Sequence, residues 1–453
     1  MSRNRIITQS EAIFVGPSPA TGYHFTLTAA QNQNGAIAGL PSGVPVDYGY
    51  SGSAADGEIH LYGGSSTALT DSLSGFMGQG GSNPLSGVSI TNELKQIYRA
   101  QGFSYDFNIA RESVQQLGEL AEIDKIINSS PTVSFNFSYL LSNFANEESL
   151  GFAIQKDSSS EVSALTNILN NNEEEKNYMV LIKAEGEDAN YGGLNASTTD
   201  VVGIGNGFLS SYTSEGSVGG FPTVNVSVDG LNLNYQTGIS GLTIPAVNYS
   251  NAARVTDTQN DHNSLVKFSI PEVNSNVSGS LTGVAAISTL RPGDITLTFR
   301  KHGSQDSYDA LGAKIEESTA KLQSYNLSIN LSRTPIEKLG SRFAFTREID
   351  FPAPISLSVE ALVDSLRTGS LMDRIDCDEE YDVDILIQSN DCNSAPVDVC
   401  MYRLKKLTLD SQSYSSSIGS NKTVSIDFST QVQGPNQTGV GIFMSGRGYD
   451  RNV

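Results

Sequence analysis

Alternation of apolar and polar residues with a period of two runs through much of the chain. It marks strands that bury one face and leave the other wet. The segments FSYDFNIA (103–110), PTVSFNFS (131–138), YNLSINLS (325–332) and APISLSVE (353–360) all read this way. The last two repeat the first two at a constant offset of 222 residues. Gln101, Asn108, Arg111, Leu117 and Gly118 recur as Gln323, Asn330, Arg333, Leu339 and Gly340. Apolar positions answer each other as well: Phe103, Phe107, Ile109 and Val114 face Tyr325, Ile329, Leu331 and Ile336, and Val133, Phe135 and Phe137 face Ile355, Leu357 and Val359. Proline precedes or opens the second strand of each copy, at Pro131 and at Pro352 and Pro354. A proline there removes no ladder donor.

Each copy therefore predicts a strand, a link and a strand. In the first link Val114, Leu117, Leu120, Ile123 and Ile127 fall at helical spacing, which predicts a short amphipathic helix or a loop. The second link is the poorer helix, because Gly340 and two aromatic residues interrupt it.

A second block recurs at an offset of 200. Leu209, Ser211, Ser217, Gly219, Thr223 and Val224 match Leu409, Ser411, Ser417, Gly419, Thr423 and Val424. In each block two alternating strands flank a Gly/Ser turn, the signature of a hairpin. A further strand precedes each, NYMVLIKAEG and YDVDILIQSN. Two blocks repeated in the same order point to tandem duplication. The expected domains are 1–232, opened by glycine-rich loops, and 233–453. Residues 1–90 and 233–320 do not align with each other, although RPGDITLTF predicts a strand over 294–299. EVSALTNILNNNEEEKN in the first copy predicts a short helix with a polar end. The fold class that follows is mainly β, with hairpin arms and short helices.

The chain of 453 residues suits this reading, being rich in Gly and Ser, free of Trp and only 17% charged. Its net charge is −21, from 28 basic and 49 acidic residues, with no basic run. A surface of that sign does not grip nucleic acid through phosphates. It does suit a wall along which DNA must slide without sticking. Cys377, Cys392 and Cys400 form no C-x-x-C pair and match no zinc spacing, so free thiols are expected, a disulfide being the alternative. The N-terminal MSRNRIITQSEAIFVGPSP has no apolar core of a secretory signal. Nothing in the sequence approaches the ~18 consecutive apolar residues of a membrane span.

Candidate chemistry is sparse. His24, His60, His262 and His302 make no metal-spaced pair, and there is no P-loop and no nucleophile elbow. The acidic run Asp376, Asp378, Glu379, Glu380, Asp382 and Asp384 lacks the turn glycine and closing glutamate of a calcium loop, so a solvated loop entering a strand is expected. No catalytic, cofactor-binding or metal-binding residue is assigned, and no enzyme activity is expected. The positions singled out are structural: Asn108, Arg111 and Gly118 with their partners Asn330, Arg333 and Gly340. Arg111 and Arg333 are expected in matching places, in a buried or inter-domain ion pair.

The strand QxxxxxxNxxRxxVxxLG, the proline-led alternating strand and the terminal hairpin together resemble phage tail tube proteins. LRPGDITLTF, QSYNLSINLSRTPIEKLG and FPAPISLSVEALV are similar to virion structural proteins of tailed phages. The likeness spans about 90–230 and 285–430 and rests on pattern with a few fixed residues. It implies two tandem tube-type β-sandwich or barrel domains whose hairpins join a shared ring, rings stacked into a tube, and genomic DNA passing through without specific binding. It also implies other tail proteins as partners, such as tape measure, sheath or terminator, no membrane, and a place in the virion after synthesis in the host cytoplasm. With two domains per chain, a ring of three chains is favoured over one of six. A baseplate hub or distal tail protein of the same fold is the alternative. A carbohydrate-binding tail spike fits less well, since its short β-helix periods are absent.

Overall fold

The alternating segments form strands because each offers the core one continuous apolar edge. The computed structural model describes residues 11–17, 24–26, 47–49, 58–61, 69–72, 91–142, 144–155, 162–169, 174–183, 199–237, 245–247, 267–269, 295–302, 320–340, 343–344, 346–363, 380–389, 397–415, 423–432, 434 and 439–446. These residues are mainly β.

The first copy comprises β1 (Glu11–Pro17), β2 (His24–Thr26), β3 (Asp47–Gly49), β4 (Glu58–Leu61), β5 (Leu69–Ser72), β6 (Thr91–Glu93), β7 (Lys95–Gln96), β8 (Ala100–Asn108), β9 (Arg111–Val114), β10 (Asp124–Ile127), β11 (Thr132–Leu140), β12 (Ile154–Gln155), β13 (Glu175–Lys183), β14 (Thr199–Ser217), β15 (Thr223–Gly230) and β16 (Asn232–Thr237). Helices α1 (Ala145–Leu150) and α2 (Thr166–Leu169) lie between β11 and β13. The second comprises β17 (Lys267–Ser269), β18 (Ile295–Lys301), β19 (Ala320–Asn330), β20 (Arg333–Ile336), β21 (Thr346–Ile349), β22 (Pro354–Val363), β23 (Tyr381–Ser389), β24 (Val397–Ser415), β25 (Thr423–Gln431) and β26 (Gly441–Gly446).

Pairing repeats between the copies. The order β8–β11–β15–β14 in the first is matched by β19–β22–β25–β24 in the second, all antiparallel. A second layer also repeats: β1–β13–β14–β16 against β18–β23–β24–β26. The long strands β14 and β24 belong to both layers. Each carries a positive-φ residue and a ladder slip where it passes between them, and these coincide at an offset of 200. Asn206 and Lys406 have φ of 53° and 56°, and the ladders slip between Leu209 and Ser211 and between Leu409 and Ser411. A bulge lets one strand serve two sheets by raising the local twist.

The apolar faces of the two layers meet. Tyr178 packs at a tilt against Phe135 and Phe137, at ring distances of 5.7 and 6.1 Å. In the second copy Phe428 meets Phe299 and Tyr381 at 5.7 and 6.1 Å. Each such fully buried side chain contributes roughly 1.5–3 kcal/mol.

The link between the alternating strands is not a helix. In both copies it is a two-stranded arm, β9–β10 and β20–β21. The helical spacing of Val114, Leu117, Leu120, Ile123 and Ile127 misled because none of these residues has a core to face; all are exposed. The arm turns at Leu117–Gly118 and Leu339–Gly340, where the glycines take φ of 96° and 85°. A left-handed backbone there accounts for the repeated glycine. The short helix expected near residue 165 is present as α2.

Candidate functional site

The two copies are joined strand to strand. The C-terminal half of β14 pairs antiparallel with β19, from Ser211 opposite Asn330 to Ser217 opposite Ser324. One uninterrupted sheet of eight strands results, in the order β8–β11–β15–β14–β19–β22–β25–β24. Its inner face packs on the cores of both copies. Its outer face is lined by polar residues of all eight strands.

Period-two alternation fixes what that outer face carries. Ser104, Asp106 and Asn108 of β8 lie beside Ser134 and Asn136 of β11, and the row continues through Asn225 and Ser227, Ser211, Thr213 and Glu215, Asn326 and Ser328, Ser356, Ser358 and Glu360, and Asp427 and Ser429. The eight strand spans 102–108, 132–138, 223–229, 211–217, 324–330, 354–360, 425–431 and 411–415 contain no Lys and no Arg. Lys321 stands at the entrance of β19, outside these spans. The charges within these spans are the carboxylates of Asp106, Glu215, Asp229, Glu360 and Asp427, set among hydroxyl and amide groups.

Two of these carboxylates are held by their neighbours. Ser358 and Ser411 hydroxyls donate to Asp427 at 2.6 and 2.5 Å, and these bonds hold its carboxyl below the ordinary range against a smaller opposing effect of burial. Thr223 and Asn225 donate to Glu215 Oε1 at 3.1 and 3.3 Å. At one end of the face Asp229 is pushed up by burial, which outweighs the opposing pull of Arg347 and Arg333.

Arg333 fastens the join. Its side chain is fully buried; the guanidinium NH1 pairs with Glu174 and donates to the Arg347 carbonyl at 3.0 Å, and Nε donates to the Leu209 carbonyl at 3.4 Å. The ring of Phe208 lies 5.1 Å away. Glu174, Phe208 and Leu209 all belong to the first copy, so the arginine reaches across. Burial raises the Glu174 carboxyl, with Arg333 opposing. Arg111 is exposed at the corresponding place on the first copy. Asn330 sits opposite Ser211 in the join, and Asn108 ends the open edge of β8. Gly118 and Gly340 form the arm tips.

Beneath the join lies a polar knot that the sequence did not announce. Glu147 of α1 is fully buried; Tyr139 and Tyr212 hydroxyls donate to its Oε1 at 2.8 and 3.0 Å, and Tyr212 shares a 2.8 Å hydrogen bond with Tyr402 of the second copy. Burial pushes the Glu147 carboxyl up to about 7, against the tyrosine bonds that favour its charge. Its Oε2 has no hydrogen-bond partner among the described residues. Burial likewise raises the three tyrosines and Cys400, the one cysteine among the described residues. Cys377 and Cys392 lie outside them.

Of the acidic run, Asp382 accepts from the Lys406 amide at 3.1 Å and contacts His302 Nδ1 at 2.8 Å, while Asp384 pairs with Arg403 at 2.8 Å. Asp376, Asp378 and Glu379 lie outside the described residues, as do His262 and the side chains of His24 and His60. Among the described residues no group of three His, Cys, Asp or Glu is placed to hold a metal ion, and no helix is long and apolar enough to cross a membrane.

No protein-family profile and no curated protein sequence matches the chain. Solved structures similar to part of it include the following two. One is titled "Cryo-EM structure of the anti-feeding prophage (AFP) baseplate, 6-fold symmetrised", at 12% identity and TM-score 0.21 over 34% of this chain and 92% of that one. The other is titled "Crystal structure of Hcp protein", at 7% identity and TM-score 0.18 over 33% of this chain and 98% of that one.

Proposed function

We propose that the chain is a structural subunit of a tail-tube-like assembly of a tailed phage. It closes into rings through its strand edges and lines a channel with the polar face of its eight-stranded sheet. The observation that carries this reading is the edge-to-edge join of two copies of one strand set, which leaves two kinds of edge, β8 and the C-terminal part of β24, without a further neighbour among the described residues. If the ring takes six units, as the tail-tube resemblance implies, a chain built from two equivalent units closes it as a trimer, and closure removes the edges that would otherwise aggregate.

Three chains with eight strands each give about 24 strands; spaced by about 4.8 Å and tilted by about 40°, they close at a backbone diameter of roughly 40–50 Å. That leaves room for a nucleic-acid duplex after the side chains are added. Carboxylates and hydroxyls without cations would repel phosphates and provide no counterion-releasing contact, so DNA would pass without being held. The assignment to a tube, rather than to a hub of the same fold, is tested by copy number in purified particles. Tens to hundreds of chains per particle support the tube; a handful would move the chain to a hub.

A further inference from the structure

We infer that the partner of the open β8 edge is β24 of a second copy of this chain, in a register dictated by the join already present within one chain. The inference rests on the ring reading above and specifies its interface. Transferring the β14–β19 pairing by the offsets 200 and 222 sets Ser411 opposite Asn108, Ser413 opposite Asp106 and Ser415 opposite Ser104. Gln412 and Tyr414 then face the core side, opposite Phe107 and Tyr105.

Burial identifies these edges as unfinished. Ile329 and Leu331, which the join covers, are 0% exposed, whereas their counterparts Phe107 and Ile109 are 58% and 38% exposed. Across the join, Ser214 is 0% exposed, and its counterpart Tyr414 on the open β24 edge is 46% exposed. The same strand type thus buries its apolar row where a β14-type strand lies beside it, and leaves the Phe107–Ile109 end of that row exposed where none does, Phe103 and Tyr105 being half-buried. The bulge that brings β14 into place is repeated in β24, between Leu409 and Ser411. The arginine clasp has its counterpart too. Arg111 is exposed on the β8 side, and the Leu409 carbonyl occupies the position from which Leu209 accepts from Arg333. In the assembled state Arg111 seats on that carbonyl, as Arg333 does within the chain. A head-to-tail contact of this kind uses two different surfaces per chain and generates a ring when its rotation closes.

Engineered cysteines test the register. In a Cys377→Ser, Cys392→Ser background that keeps the buried Cys400, the pair Asp106→Cys and Ser413→Cys places two thiols on directly opposed residues, within disulfide reach. The one-residue slip, Asp106→Cys with Gln412→Cys, points its thiols to opposite faces. After mild oxidation, denaturing gels should show covalent multimers up to a closed ring for 106/413 and monomer for 106/412. Arg111→Glu should raise the concentration for half-assembly at least about tenfold without changing the unfolding of the chain, and Arg111→Lys should recover part of that loss. Rings by native mass spectrometry with no 106/413 cross-link would overturn this interface and leave the ring reading standing. A 106/413 bond within one chain would overturn it too. Absence of any assembly across the concentrations tested would overturn the ring reading and the interface together.

Discussion

The buried carboxyl of Glu147 makes stability depend on pH in a calculable way. It is fully enclosed, accepts two tyrosine hydroxyls through one oxygen and leaves the other without a partner. Burial lifts its pKa from 4.5 in the open chain to about 7 in the fold. A group whose folded pKa is raised binds its proton more tightly when folded. Its contribution is therefore complete below the unfolded value near 4.5 and is lost as pH rises through the folded value near 7. A shift of that size, at 1.36 kcal/mol per unit, corresponds to about 3 kcal/mol. Glu147→Gln keeps an oxygen for Tyr139 and Tyr212 and removes the titration. It introduces an amide at the unpartnered position, at a cost of about 1–3 kcal/mol that does not vary with pH. Urea unfolding at fixed protein concentration, from pH 4.5 to 8, should show the wild type losing about 3 kcal/mol more than the variant. Glu11, Glu174 and Asp229, also raised by burial, are common to both proteins and cancel in the difference. Parallel curves for the two proteins would refute the reasoning.

Other expectations follow from single sites. Arg333→Ala should destabilise the chain by about 3–5 kcal/mol, because it strands the Glu174 carboxylate at the join, while exposed Arg111→Ala should stay within about 0.5 kcal/mol for the unassembled chain; denaturant midpoints decide. Leu357→Ala, in the core of β22 at 0% exposure, should cost about 2–5 kcal/mol by the same assay. At Gly205 a Cβ would lie 2.3 Å from the Pro245 carbonyl oxygen, so Gly205→Ala should lower the melting temperature by several degrees, whereas Ala at half-buried Gly102, where nothing lies within 4 Å, should be far milder. Replacing Asp106, Glu215, Glu360 and Asp427 by Lys should leave the circular dichroism of the strands unchanged and give this sheet face affinity for duplex DNA in a filter-binding assay, steeply weakened by salt.

Much of this architecture was legible as alternation plus repetition. The offsets 222 and 200, read from residues such as Arg111 and Arg333 or Leu209 and Leu409, locate strands that pair identically in the two copies. The equivalence of β1 and β18 was not legible. EAIFVGP and ITLTFRK share no residue at matched positions, and only their common pairing with β13 and β23 reveals it. Such a strand needs an apolar face and an edge to lie on, which many sequences satisfy. The arm was misread because exposed Leu117 and Leu120 imitate an amphipathic helix, and spacing alone does not say whether a core exists to receive it. Glu147 gave no signal, since EES on a short helix reads as solvated; only Tyr139, Tyr212 and Tyr402, from three distant strands, enclose it. The acidic face was half visible. Net charge suggested it, but its freedom from cations follows from the register of eight strands.

The central claim is that one chain supplies two adjoining units of a ring and that its open β8 and β24 edges close on each other between chains. A cryo-EM map of the assembled particle tests it most directly. Three chains per layer, a continuous β-barrel wall and the acidic face turned to the channel are the expected result. Six chains per layer, or a wall interrupted between β24 of one chain and β8 of the next, would contradict it.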